Sequence, residues 1–360
     1  MKKISAISLA CIFLLGVSCT PQEENDSNTF DRKALLDNIA TELIIPNYEQ
    51  LASTSAELTV QAELLASTPS AENLAATKQA FTNAYTAWQA CSSFEFGPAA
   101  TAIMKSLLNT YPTDVAQIQA NIESGSFNLN QVSNIDASGF PALDYLLYHA
   151  DEATVLTEMQ NTNTNAYLLA ICEQIESISA ATLQAWKSGY YDTFVNATGT
   201  DVGSGLGMLV NELNRDFELI KNFKVGVPLG KRSLGEIFPE KVEAYYSKKS
   251  LDMALSNLQT IRLIITGDIA DGNQIGLAEH LDAVNARYNE QLLSEAILQQ
   301  LDKGIEAMEA LNSPIDEAIV EQFAATETAY NELQSTVTLL KVDMPSQLAV
   351  LITYQDNDGD

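Results

Sequence analysis

Apolar residues return every three or four positions through most of this chain, and that period leaves little to build except packed helices. Leu251, Ala254, Leu255, Leu258, Ile261 and Ile265 form one such stripe. Positions spaced i, i+3, i+4 and i+7 line one face of a helix with about 3.6 residues per turn. Leu74, Phe81, Tyr85 and Trp88 make a second stripe, and Ile297, Leu301, Ile305, Met308 and Leu311 a third. No series of alternating apolar runs joined by Asn-Gly or Asp-Gly turns is present, so the only extended piece expected is Leu348 to Tyr354. The predicted fold class is all-α, in helical bundles closed by stripes that face inward.

The breaks divide this pattern. Pro46 is expected to kink or end the first helix, because its ring removes a backbone donor and crowds the preceding turn. Ser70 reads as the cap of the next helix, and Phe96-Gly97-Pro98 as its stop. Asn312-Ser313-Pro314 separates two further helices, and Val225 to Pro239 is a long connection. Asn196 to Gly207 carries Gly199, Gly203, Gly205 and Gly207 with little that is large and apolar, which marks a boundary. A mature chain of roughly 330 residues exceeds what one core usually holds, so two domains are expected. They span 30–195 and 203–360, the helices of the second ending near 345. The succession Leu64-Leu65, a Pro-Ser break, then Phe81 to Trp88 resembles Met308 to Leu311, a Ser-Pro break, then Phe323 to Tyr330. That likeness reads equally as an internal duplication or as the general similarity of amphipathic helices.

The N-terminus bears on compartment. Lys2 and Lys3 precede an apolar run from Ile4 to Val17 that is too short to span a bilayer. The run ends in small residues before Cys19, the arrangement cut by a lipoprotein signal peptidase. Residues 1–18 are therefore read as a signal peptide, Cys19 as the lipidated residue, and 19–29 as a polar, acidic tether. A lipid on Cys19 would be the only membrane contact, holding the protein to the outer membrane of a cell envelope. The acidic segment after Cys19 resembles signals that direct such lipoproteins to the outer surface. The chain carries a net charge of −28, and loss of Lys2 and Lys3 with the signal makes the mature form more acidic still. Such a surface repels nucleic acid and anionic headgroups.

The chemistry is defined largely by what is missing. His149 and His280 are the only histidines, and there is no HExxH, Walker loop, GxSxG or GxGxxG in a strand-turn-helix setting. His149, near a helix end, reads as a dipole-stabilised or surface group, and His280, between Glu279 and Asp282 on a polar segment, is read the same way. Cys91 and Cys172 remain after Cys11 leaves and Cys19 is lipidated; a disulfide and two buried thiols are both open, and the absence of a CxxC pair excludes a zinc ribbon. Asp356 to Asp360 reads as an acidic terminus rather than a calcium loop, since the later Glu of such a loop is missing. The most informative string runs from Asp136 to Tyr148. In it Gly139 permits an unusual backbone turn, Pro141 suits the first position of a helix, and Asp144 then falls in the first turn, where the helix dipole favours an acid.

This string resembles the Gly-x-His-x-x-Glu signature of imelysin-like proteins, with Gly139, Pro141 and Asp144 at the matching positions. The stretches from Trp88 to Pro98, Lys224 to Pro228, Pro239 to Ser247 and Ser250 to Leu258, and the acidic close at Asp356 to Asp360, follow in family order. The resemblance implies two helical bundles with a groove between them, a place in the periplasm or on the outer surface, and a part in iron acquisition. It implies a ligand groove near Gly139, Pro141 and Asp144, with Glu95 and Lys231 or Arg232 as its polar lining. Iron or another divalent metal is the cofactor it admits, and an iron-related ligand or an envelope uptake partner the binding partner. The family name carries a peptidase. A metallopeptidase needs three protein ligands and a base; here Pro141 replaces the histidine and the shorter Asp144 the glutamate, so no catalytic residue is expected. The reading is a binding lipoprotein without peptidase activity, set against an imelysin-class peptidase and a scaffold that takes no small ligand.

Overall fold

The computed structural model describes residues 30–269 and 275–354. The signal segment, Cys19, the tether and the Asp356–Asp360 terminus lie outside them. The described chain is predominantly helical with almost no strand, as its periodicity dictates. The three stripes are the buried faces of the Ala71–Cys91, Ser250–Thr266 and Leu293–Glu309 helices, with Leu255 at the margin of its face and the buried Leu311 just past the end of its helix. Among the described residues no helix is long and apolar enough to cross a membrane.

Local signals hold in most places. Ser70 Oγ accepts the Asn73 N–H (3.2 Å) and caps its helix. Gly97, at φ 55°, breaks the chain before Pro98 opens a short helix. The regular first helix ends ahead of Pro46, as expected, but the chain stays helical. The chain passes from the Arg32–Ile39 helix through a wide π turn, Ala40–Ile44, into the Ile45–Ser67 helix, with Pro46 in its first turn. The wide turn gives the ring the room that a tight helix would deny it. Leu348 to Tyr354 forms no strand. Met344–Leu348 is helical, and the segment beyond it is held by Asn211, whose side-chain amide bonds the Leu351 carbonyl (2.9 Å) and the Thr353 N–H (2.8 Å). The described strands are two residues each, Arg287–Tyr288 paired antiparallel with Gln291–Leu292, too short for any period to announce.

In the first half the Ile45–Ser67 and Ala71–Cys91 helices form a hairpin, against which Thr162–Ala185 packs; Gly139–Tyr148 bridges Ala71–Cys91 and Thr162–Ala185. In the second half Leu293–Glu309 and Phe323–Thr338 form another hairpin, joined by Ser250–Thr266. The eight residues between the Tyr191–Asn196 and Gly205–Leu219 helices connect the halves. The halves meet where Ser250–Thr266 lies on Ala71–Cys91 and Gly205–Leu219 on the Ser92–Phe94 turn, and their buried side chains form one continuous core. Cys91 and Cys172 are separate buried thiols, pushed well above the usual thiol range by burial.

Candidate functional site

Where the halves meet, charged side chains lie inside what would otherwise be apolar core. The Ala71–Cys91 helix brings Tyr85, Trp88 and Gln89 to one face by its three-and-four spacing. Ser92 and Ser93 follow in a tight turn, and the Met104–Leu108 helix with the next residue supplies Lys105 and Asn109. From the second half, Glu212 and Asp216 stand one turn apart on the Gly205–Leu219 helix, Lys224 lies in the wide turn after it, and Asn257 sits on Ser250–Thr266.

Most of these polar groups satisfy one another. Lys105 Nζ pairs with Glu212 (2.9 Å) and with Asp216 Oδ1 (3.0 Å). Asp216 Oδ2 accepts from Ser92 Oγ (2.8 Å), Ser93 Oγ (2.7 Å) and Asn257 Nδ2 (2.7 Å). Lys224 Nζ pairs with Glu243 Oε2 (2.8 Å) and donates to Gln89 Oε1 (2.6 Å). Glu243 Oε1 accepts from Tyr85 (3.2 Å), Gln89 (2.7 Å) and Asn109 (2.7 Å). Burial alone would raise the Asp216 carboxyl; Lys105, Ser93 and Lys224 outweigh it and hold the group below its ordinary range. For Lys105 burial works to lower the ammonium, and Asp216 and Glu212 reverse it, so the lysine stays charged.

Beside this network opens a cleft of about 260 Å³. Trp88, Tyr111, Leu219 and Phe223 form its apolar walls, and Lys105, Arg215, Asp216 and Lys224 its charged ones. Asp216, the only carboxylate in that lining, already accepts from four donors. Among the described residues no group of three or more His, Cys, Asp or Glu side chains is placed to hold a metal ion. The donor set of the cleft therefore does not fit a metal.

The signature string sits next to this cleft and serves another purpose. The helix begins at Gly139, so Pro141 is its third residue rather than its first, still within the turn whose N–H groups need no partner. Asp144 is the sixth residue, beyond the first turn, and so not the dipole-stabilising acid its spacing suggested. It is buried, and its carboxylate accepts the Tyr246 N–H (2.8 Å) and the Ser247 N–H (3.0 Å) from the other half of the chain. Burial dominates these bonds and raises the carboxyl to about 6. The cavity alongside Pro141 and Asp144 is about 30 Å³, close to the share of liquid volume of one water. Asp144 is thus a latch on the turn that also carries Glu243. Asp144→Ala should cost about 2 kcal/mol, because two buried N–H groups lose their acceptor while a desolvated charge is relieved. Hydrogen exchange should quicken at the Tyr246 and Ser247 amides; quickening at the start of the Gly139–Tyr148 helix instead would return Asp144 to the dipole role.

Glu95 does reach the network. Its Oε1 accepts the Lys105 backbone N–H (2.9 Å), and burial, opposed by Lys105, raises its carboxyl to about 7. A carboxyl raised on folding binds more protons folded than unfolded, so its stabilising contribution is present at low pH and is lost as pH rises towards 7. Glu95→Gln should therefore gain on the wild type between pH 4.5 and 7.5 by on the order of 2 kcal/mol, after a discount for partial exposure; urea midpoints that track each other across this range would refute it. Lys231 and Arg232 do not line the cleft. Lys231 pairs with Glu327 and lies over the Tyr330 ring.

The histidines divide. His149 caps its helix, Nδ1 against the Tyr145 carbonyl (3.0 Å) and Nε2 near Glu158 (3.3 Å), as a helix-end histidine should. His280 is not a surface group: it is buried against Phe30, ring centroids 4.4 Å apart, and burial followed by Arg32 lowers it to about 4. The acids beside it turn away, Glu279 to the Gly276 N–H and Asp282 to Ser294. Lys105, Arg215, Asp216, Lys224, Glu243 and Asn257 were not foreseen. The available signal was Glu212 and Asp216 at i and i+4, interleaved with Leu209, Val210, Leu213 and Phe217 on one amphipathic helix.

Comparison with known proteins agrees with this architecture. Residues 44–343 match the family model described as Imelysin. Iron-regulated protein A of Synechococcus elongatus is 22% identical over 324 residues, covering 87% of this chain and 84% of that protein. A crystal structure described as an iron-regulated protein A precursor from Parabacteroides distasonis superposes with a TM-score of 0.76 at 18% identity, covering 88% of this chain and 95% of the other. An imelysin-like protein from Psychrobacter arcticum gives 0.70 at 18% identity, with 90% and 97% covered.

Proposed function

The chain belongs to the imelysin family, and from that premise we propose that it is an envelope binding protein that holds an iron-related ligand in the cleft between its halves and hydrolyses no peptide. The observation that carries this reading is the cleft itself: an open space walled by aromatic residues beside a buried ion network whose acids are already engaged. Pockets of this kind, mostly apolar with a few convergent polar groups, are the usual small-molecule sites. The names of its relatives support the link to iron.

Hydrolysis lacks an actor. The Ser92 and Ser93 hydroxyls donate to Asp216, whose carboxyl is held below its ordinary range and is correspondingly a weak base. Neither histidine is among the residues lining the cleft. The N-terminal sequence supports anchorage through Cys19, tested by fractionation: Cys19→Ala should release the chain from membranes, and full retention with the signal removed would reject the anchor. The function is tested by incubating the purified full chain with ferric chelates and with casein. Ferric chelates should raise its melting temperature by mass action, casein should stay intact, and Ser106→Trp, which fills the cleft from an exposed position, should abolish the thermal shift. Cleavage of casein lost in Asp216→Asn would overturn the reading.

A further inference from the structure

We infer that the cleft recognises a small organic anion, with carboxylates on an apolar or hydroxylated frame, and does not coordinate a bare metal ion. This rests on the proposal that the cleft is the ligand site, and it concerns which part of an iron-related ligand the protein touches. The chain as a whole carries −28, yet the charged residues lining the cleft are three cations, Lys105, Arg215 and Lys224, and one acid, Asp216.

The hydrogen-bond inventory of those four settles what is on offer. Asp216 Oδ2 is filled by Ser92, Ser93 and Asn257, and Oδ1 is held by Lys105, whose charge opposes a second cation there. The network's other acids stand behind the lining: Glu212 is taken by Lys105 and Arg215, Glu243 by Lys224, Tyr85, Gln89 and Asn109, and Glu95 by the Lys105 backbone N–H. Donors, by contrast, remain. Lys105 and Lys224 each use two of three ammonium protons. Arg215 spends Nη1 on Glu212, leaving the rest of a fork whose geometry matches a carboxylate.

Two further groups point the same way. Trp88 lines the cleft and is buried, and its indole Nε1 has no hydrogen-bond partner. A buried unsatisfied donor is costly, so a polar partner for it is favoured. Asn257, fully buried in the same lining, has its Oδ1 unpartnered, an acceptor suited to a ligand hydroxyl. Trp88, Tyr111 and Phe223 then cover the carbon frame. A bare cation would meet ammonium and guanidinium groups and one carboxylate already paired with a lysine; an anion, or a metal already wrapped in an anionic chelator, meets donors.

Isothermal titration calorimetry on the full chain tests this with three probes: citrate, ferric citrate, and ferrous ion alone under argon. Citrate and ferric citrate should bind saturably and ferrous ion should not. Arg215 is partly exposed at the rim, with 43% of its side chain accessible, so its variants should fold. Arg215→Glu should weaken citrate binding at least tenfold, and Arg215→Lys should recover part of it. Saturable binding of ferrous ion with none of citrate overturns the inference and leaves the binding function standing. Citrate binding indifferent to Arg215→Glu also overturns it. Failure of all three probes overturns both.

Discussion

Asp216→Ala should cost about 4 kcal/mol at pH 7, within the range of about 3–5 kcal/mol measured when one partner of a buried ion pair is removed. The substitution strands Lys105 with one acid fewer and leaves the Ser92 and Ser93 hydroxyls and one Asn257 donor without their acceptor. The loss has a pH signature. The Asp216 carboxyl is held below its ordinary value in the folded state, so its contribution is complete above the unfolded value of about 3.9 and disappears as pH falls through the folded value. The gap between wild type and variant should hold from pH 8 to pH 5 and narrow only in strong acid. Lys105→Met in the same background should recover part of the loss by removing the stranded charge. Urea unfolding is the measurement. A single-variant loss below about 1.5 kcal/mol would mean that water enters and replaces the carboxylate.

Gly139→Ala should be damaging for a different reason. Gly139 has φ +69°, where an alanine costs roughly 1 kcal/mol or more. A Cβ there would lie 2.4 Å from the Leu108 carbonyl oxygen and 2.7 Å from that of Leu107. Both obstacles are backbone, so no rotamer relieves them, and the Met104–Leu108 segment must retreat. The total should reach at least about 3 kcal/mol, in line with overpacking added to strain. That segment supplies Lys105 and flanks Asn109, so ligand affinity should fall as well. Gly189→Ala is the control: φ is +142° but nothing lies within 4 Å of the added Cβ. If the two variants lose equal stability, the close approach at Gly139 is not what holds the glycine.

The setting of Gly139 also explains how a signature can survive its own chemistry. The histidine position is Pro141 and the glutamate position is Asp144, so the motif's imidazole is gone. What remains is a glycine that admits the Met104–Leu108 segment and an acid that holds the Tyr246–Ser247 backbone. Both hold in place what borders the cleft, one through Lys105 and the other through the turn bearing Glu243. The residues that the family resemblance singled out are absent from the lining of the cleft; Gly139 and Asp144 support segments that border it.

What could be read from the sequence alone is what short-range physics decides. The stripes at 74–88, 251–265 and 297–311 announced buried helix faces, since a 3.6-residue period is a property of consecutive residues. Ser70 announced its cap because the bond it makes spans three residues. The all-α class followed, as did the need for glycine near 139. Asp144 could not be read in the same way, because its partners lie 102 and 103 positions away, and only docking of the two halves decides which N–H groups it meets. His280 was misplaced because burial is set by what covers a residue, here Phe30 from the far end of the chain, and not by the acids beside it. The cleft was illegible for the same reason. A lysine on one helix and an arginine and an acid on another look like solvated surface until packing removes water from between them, and at that point each must find a partner or remain available to a ligand.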